Sequence, residues 1–173
     1  MRIRQMPVGF AVGLVLIASS VLASTGTDGV QTILLADDLA VVANGEKIYQ
    51  ARCAACHGVQ LDGQPNWRQR NAQGLLPAPP HDASGHTWHH ADDLLFEITK
   101  YGPGVVIADT DYRSDMPVYA DILSDEDIVA VLSFIKNTWP DNERQWQEEV
   151  NGTQIDSQLP KNKGSTLLDR LLK

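Results

Sequence analysis

The chain opens with an uncharged, largely apolar run from Val8 to Ala23, preceded by Arg2 and Arg4 and closed by Val21-Leu22-Ala23 ahead of Ser24. A positive start, an apolar middle and a small-residue cleavage site are the parts of an export signal over residues 1–23. The alternative is an uncleaved anchor, although the run is short against the roughly 20 residues that a bilayer span needs. Residues 24–37 mix Ser, Thr, Gly and Asp around the short run Thr32-Ile33-Leu34-Leu35 and read as a linker with one apolar patch.

Helical periodicity begins at Asp38 or Asn44 and predicts a first helix up to Cys53. Gly45 and Tyr49, four apart, share one face. A glycine there lets a second helix approach closely. From Gly58 to Pro80 the periodicity is lost among glycines and prolines, which predicts a long loop wrapped around something. A second helix is expected over residues 91–101, with Asp92 and Asp93 at its positive end and Leu94, Leu95 and Ile98 as its apolar stripe. Gly102-Pro103-Gly104 stops it, and residues 105–110 read as a connecting loop.

Ser124-Asp125-Glu126-Asp127 is a capping-box-like start for the last core helix. Ile128, Val131, Leu132 and Ile135 form its apolar face, and Pro140 ends it. Val131 or Phe134 is expected against Gly45 and Tyr49. Residues 141–173 form a polar C-terminal extension. A short helix is expected over residues 143–150, then a linker over 151–164. Leu167, Leu168, Leu171 and Leu172 close the chain at helical spacing, to dock on a surface or pack back on the domain.

The balance of charge narrows the partners. The whole chain carries 14 Lys and Arg against 22 Asp and Glu, a formal net charge of −8. Loss of Arg2 and Arg4 with the signal makes it −10, from 12 against 22. An acidic chain lacks the basic surface that phosphate contacts require, so nucleic acid is not an expected partner. A redox partner with a basic docking face would be steered toward it. Solubility alone is the plainer account of the acidity.

Cys53-Ala54-Ala55-Cys56-His57 carries the chemistry. A C-x-x-C-H run is the attachment signature of c-type haem. Two thiols add across the two vinyl groups of the porphyrin, and the adjacent histidine reaches the iron. Both cysteines of the chain lie in this motif, so none is left for a structural disulfide. Zinc or dithiol chemistry competes, because His86 and His90 form an H-x3-H pair. The long gap from Cys56 to His86 and the unexplained His57 count against it. A proline of the 58–80 loop is expected to offer a carbonyl to His57 Nδ1–H, but the sequence does not say which.

Four of the five histidines fall in the stretch from His81 to His90. They read either as a second metal site, for copper or zinc, or as capping, propionate-binding and solvent-facing groups. Trp88 is a candidate haem-edge or propionate contact. Met116, followed by Pro117, is the one methionine left after residues 1–23 are removed. A thioether opposite His57 would complete an electron-transfer haem. A buried gap-filling methionine is the alternative.

Together these residues resemble the class I c-type cytochromes, small monohaem carriers, over about residues 40–140. Gly45 and Tyr49 resemble the glycine and aromatic of that family's first helix. Cys53, Cys56 and His57 match its attachment motif, Met116-Pro117 its ligand loop, and Val131 and Phe134 its last helix. The resemblance implies an all-α cytochrome c fold over residues 38–140, with three or more helices around one covalent haem c. It implies thioethers from Cys53 and Cys56, and His57 and Met116 on the iron. The expected function is periplasmic single-electron transfer to and from redox proteins, with membrane association only through a retained signal or a docked C-terminal helix. Alternatives are a haem subunit of a larger oxidoreductase complex, a haem enzyme if the iron keeps an open position, or a copper-handling protein using His81–His90.

Overall fold

The computed structural model describes residues 33–107 and 112–158. The expected signal, most of the linker and the Leu167–Leu172 segment lie outside these residues. The described elements are α1 (Leu39–Arg52), α2 (Ala54–His57), a single 3-10 turn (Thr87–His89), α3 (Asp92–Tyr101), α4 (Pro103–Ile107), α5 (Asp125–Asn137) and α6 (Asp141–Gln158). There is no strand among them.

α1 begins where Asp38, extended in its backbone, accepts hydrogen bonds from Ala40 N–H at 2.9 Å and Val41 N–H at 3.2 Å. These satisfy two of the donors that a helix start leaves unpaired. α5 carries the reciprocal capping box: Ser124 Oγ accepts from Asp127 N–H, and the Asp127 carboxylate accepts from Ser124 N–H. α1 and α5 make the most extensive helix–helix contact. It is intimate because Gly45 lacks a side chain. A Cβ built there would lie 2.0 Å from the Ala130 carbonyl oxygen and 2.9 Å from Phe134 Cβ. Tyr49, fully buried, packs its ring 5.5 Å from that of Phe134. Of the two expected partners on α5, Phe134 meets Gly45 and Tyr49, while the closest approach falls on the Ala130 backbone rather than on Val131.

Two stretches depart from the sequence reading. Residues 103–107, expected as loop, form α4: Pro103 stops α3, yet its fixed φ suits the first position of a new turn. α6 continues to Gln158, through residues expected as linker. Its inward positions are polar, so no apolar stripe announces them. Gln147 is fully buried and Asn151 nearly so. Gln147 Nε2 donates to Asp92 Oδ1 at 2.6 Å, and Asn151 Oδ1 accepts from Asp92 N–H at 2.9 Å. Asp92 Oδ2 also accepts Leu34 N–H at 3.1 Å, and Lys136 Nζ lies 3.7 Å from Asp92 Oδ1. One buried carboxylate thus joins α3, α5, α6 and the segment before α1. In that segment Leu34 and Ala36 are buried, and Leu35 N–H donates to Ser133 Oγ at 2.8 Å.

Candidate functional site

The attachment motif straddles the end of α1 and the single turn of α2. Cys53 caps α1, its N–H reaching Tyr49 O, and Gly58 closes α2 at φ +83°. Both cysteines are free thiols; Cys56 is exposed and Cys53 half-buried. Burial pushes the Cys53 thiol up to about 11, with the neighbouring Cys56 adding to it. Tyr49, buried beneath the motif, donates its hydroxyl to Gly58 O at 2.8 Å, with His57 O at 3.3 Å. Burial and the nearby Cys53, Asp62 and Asp82 raise its pKa, so it stays a neutral donor.

The long loop returns to the motif. Gly63 N–H donates to His57 O at 2.8 Å, Gln64 N–H to Ala78 O at 2.9 Å, and His81 N–H to Leu61 O at 2.7 Å. Gly63 admits the returning chain: a Cβ on it would lie 2.4 Å from Pro80 N. The returning segment places the Pro79 carbonyl oxygen 2.9 Å from His57 Nδ1. That bond fixes which nitrogen carries the proton and leaves Nε2 for a metal. Burial lowers the His57 pKa, against the pull of the Pro79 bond, which keeps the imidazole neutral as a ligand must be.

Met116 lies half-buried on the segment between α4 and α5, its N–H donating to Ser114 Oγ at 3.0 Å. Three residues on, Tyr119 is buried and donates its hydroxyl to Arg52 O at 2.9 Å, beside Cys53. Burial raises the Tyr119 pKa, and Cys53 and Cys56 raise it further. The segment that carries Met116 is therefore tied to the attachment motif by one hydroxyl, a tie the sequence reading missed. An aromatic shortly after a candidate ligand was the signal available.

The histidine-rich stretch does not assemble into a metal site. Among the described residues, no three His, Cys, Asp or Glu side chains are grouped to hold an ion. Neither the copper-handling alternative nor the zinc pairing of His86 and His90 with the cysteines gains a grouped donor set from the described residues. The rings go to aromatic partners instead. His86 stacks on Trp67 at 5.2 Å, His90 meets the His86 edge at 5.3 Å, His89 lies on Trp88 at 3.8 Å, and His81 stacks on His57 at 4.1 Å. Burial lowers the pKa of His81, His86 and His90, although His86, like His89, keeps an exposed side chain. Trp88 is half-buried against the core, and its Nε1 is buried without a hydrogen-bond partner.

The residues present fit a haem. Two free thiols at the correct spacing, a neutral imidazole with Nε2 to spare and an orphaned indole N–H form a donor set for a covalently held, partly polar macrocycle. An all-helical chain built on the α1–α5 crossing, with that donor set at the end of α1, defines a c-type haem protein. The model of the family described as Cytochrome c matches residues 42–139, and the chain belongs to the cytochrome c family. No curated protein and no solved structure matches it. Membership supports haem c binding and haem-based electron transfer.

Proposed function

We propose that the chain is a periplasmic single-electron carrier with one haem, joined by thioethers to Cys53 and Cys56 and held on iron by His57 and Met116. The observation that carries the reading is the 2.9 Å bond between His57 Nδ1 and Pro79 O. It orients the imidazole that follows the two thiols and raises its basicity as a ligand. The haem supplies the one-electron Fe(III)/Fe(II) couple. Met116 sulphur favours the ferrous state relative to a second histidine. Tyr49 and Tyr119 hold the motif and the Met116 segment in place through backbone carbonyls, so that neither ligand has to move when the charge on iron changes. Trp88 Nε1 is a donor for a haem propionate.

Export rests on the arginines and apolar run before Ser24, and the net charge suits donor and acceptor proteins with basic docking faces. Among the described residues no helix is long and apolar enough to cross a membrane. A retained signal over residues 1–23 or a docked C-terminal helix would supply membrane attachment.

The test is the matured protein itself. Intact mass should exceed the polypeptide by one haem. The ferric spectrum should carry a sulphur-to-iron charge-transfer band that Met116→Ala abolishes. A mass without haem, in cells that mature a control cytochrome, would refute the attachment. A charge-transfer band that survives Met116→Ala would refute the ligand.

A further inference from the structure

We propose that His81 is a positioning residue for the axial ligand, its imidazole stacked on His57 so as to fix the plane of the ligating ring. The inference rests on the reading of His57 as the iron ligand. The two ring centroids are 4.1 Å apart and the planes differ by 20°. A metal binds imidazole along a nitrogen lone pair in the ring plane, so a neighbour on the ring face lies beside that axis. His81 is therefore no rival for the iron from this position. It acts on the freedom that Pro79 leaves. One hydrogen bond at Nδ1 locates that nitrogen but lets the ring rock about the bond, and a flat, fixed partner on one face opposes the rocking.

His81 is well held for this task. Its Nδ1 lies 2.9 Å from Oγ1 of the buried Thr87. Its N–H donates to Leu61 O at 2.7 Å, and its carbonyl accepts Trp139 Nε1 at 2.7 Å. Tyr49 meets the His81 ring edge-on at 6.4 Å. Both supports of His57 come from one stretch, Pro79-Pro80-His81: a carbonyl for the nitrogen and a ring for the face. The middle residue is clamped between two glycines. A Cβ on Gly63 would lie 2.4 Å from Pro80 N, and one on Gly85 2.1 Å from Pro80 O. The other three histidines of the cluster have no such relation to the motif. His86 and His90 belong to the Trp67 stack, and His89 to Trp88.

Low-temperature electron paramagnetic resonance of the ferric holoprotein reads the orientation of the axial ligand plane through its lowest-field g value. Wild type, His81→Phe and His81→Asn are compared at equal haem content. His81→Phe keeps a flat ring on His57 and is expected to keep the wild-type line position and width. His81→Asn removes the ring and is expected to shift and broaden the line. An unchanged line in His81→Asn would overturn the inference. Should that variant not mature, Thr87→Val keeps the His81 ring but removes its Nδ1 partner; broadening is expected, and an unchanged line overturns the proposal. A wild-type protein without a low-spin histidine-ligated signal is a separate result: it removes the ligand assignment for His57 and the inference with it.

Discussion

Gly45 and Ala130 set how close the two principal helices come: a Cβ on the glycine would lie 2.0 Å from the alanine carbonyl oxygen. That atom is backbone and cannot step aside alone. Gly45→Ala therefore has to move α1 off α5, and with it the Tyr49 support of the attachment motif. Overpacking of this kind costs about 1–3 kcal/mol. Denaturant unfolding of the holoprotein should show a loss of that size, although alanine is the better helix former.

Tyr119→Phe tests the tie between the Met116 segment and the motif. The hydroxyl bonded to Arg52 O at 2.9 Å is part-buried, so its removal leaves that carbonyl short of a partner. The expected loss is about 1–3 kcal/mol. The more telling readout is ligand exchange. If Tyr119 keeps the Met116 segment in place, cyanide should bind the ferric variant faster than wild type. Equal rates would place the loop's anchor elsewhere.

Lys136→Met tests the buried junction around Asp92. Lys136 and Asp92 are each nearly inaccessible, and Lys136 also pairs with Glu148 on α6. Removing one charge of a buried pair costs about 3–5 kcal/mol, because the other charge stays behind. Lys136→Met should be severely destabilised. The double variant Lys136→Met with Asp92→Asn should lose less than the sum of the two single losses.

Protonation of the histidine stretch makes stability fall in acid. His81, His86 and His90 have pKa values lowered by burial from the usual 6.5, so the unfolded chain takes up their protons before the folded one does. Their stabilisation is complete above that ordinary value and is lost as pH falls through it toward the depressed folded values. The urea midpoint should be lower at pH 5.5 than at pH 7.5. For a buried group such as His81 the slope reaches about 1.4 kcal/mol per pH unit. His81→Phe should reduce the difference between the two conditions.

Which of these features the sequence disclosed depends on how local the chemistry is. Ser124 caps α5 through a residue three positions away, so that start was readable; the pattern alone leaves the start of α1 at Asp38 or Asn44, and the Asp38 cap selects the former. Cys53, Cys56 and His57 are adjacent, and their spacing alone names the group they suit. The need for a carbonyl to accept from His57 Nδ1–H was also readable, but the proline that supplies it was not. Three prolines stand within four positions of one another from Pro77 to Pro80, and only the path of the returning loop selects Pro79. The length of α6 escaped because Gln147 and Asn151 face inward; a helix anchored by amides has no apolar period to detect. The histidine stretch invited a metal because four rings lie close in sequence. In the fold each is taken by a different aromatic neighbour or pair, which no spacing rule encodes.

A one-electron carrier of the proposed kind keeps both protein ligands on iron in both oxidation states. Carbon monoxide added to the fully reduced protein probes this, because it binds ferrous haem only at an open position. Reduced c-type bands that carbon monoxide leaves unchanged are expected, together with a one-electron potentiometric titration. Rapid formation of a carbon monoxide adduct at neutral pH would contradict that ligation, and would make the chain a ligand-binding or catalytic haem protein instead.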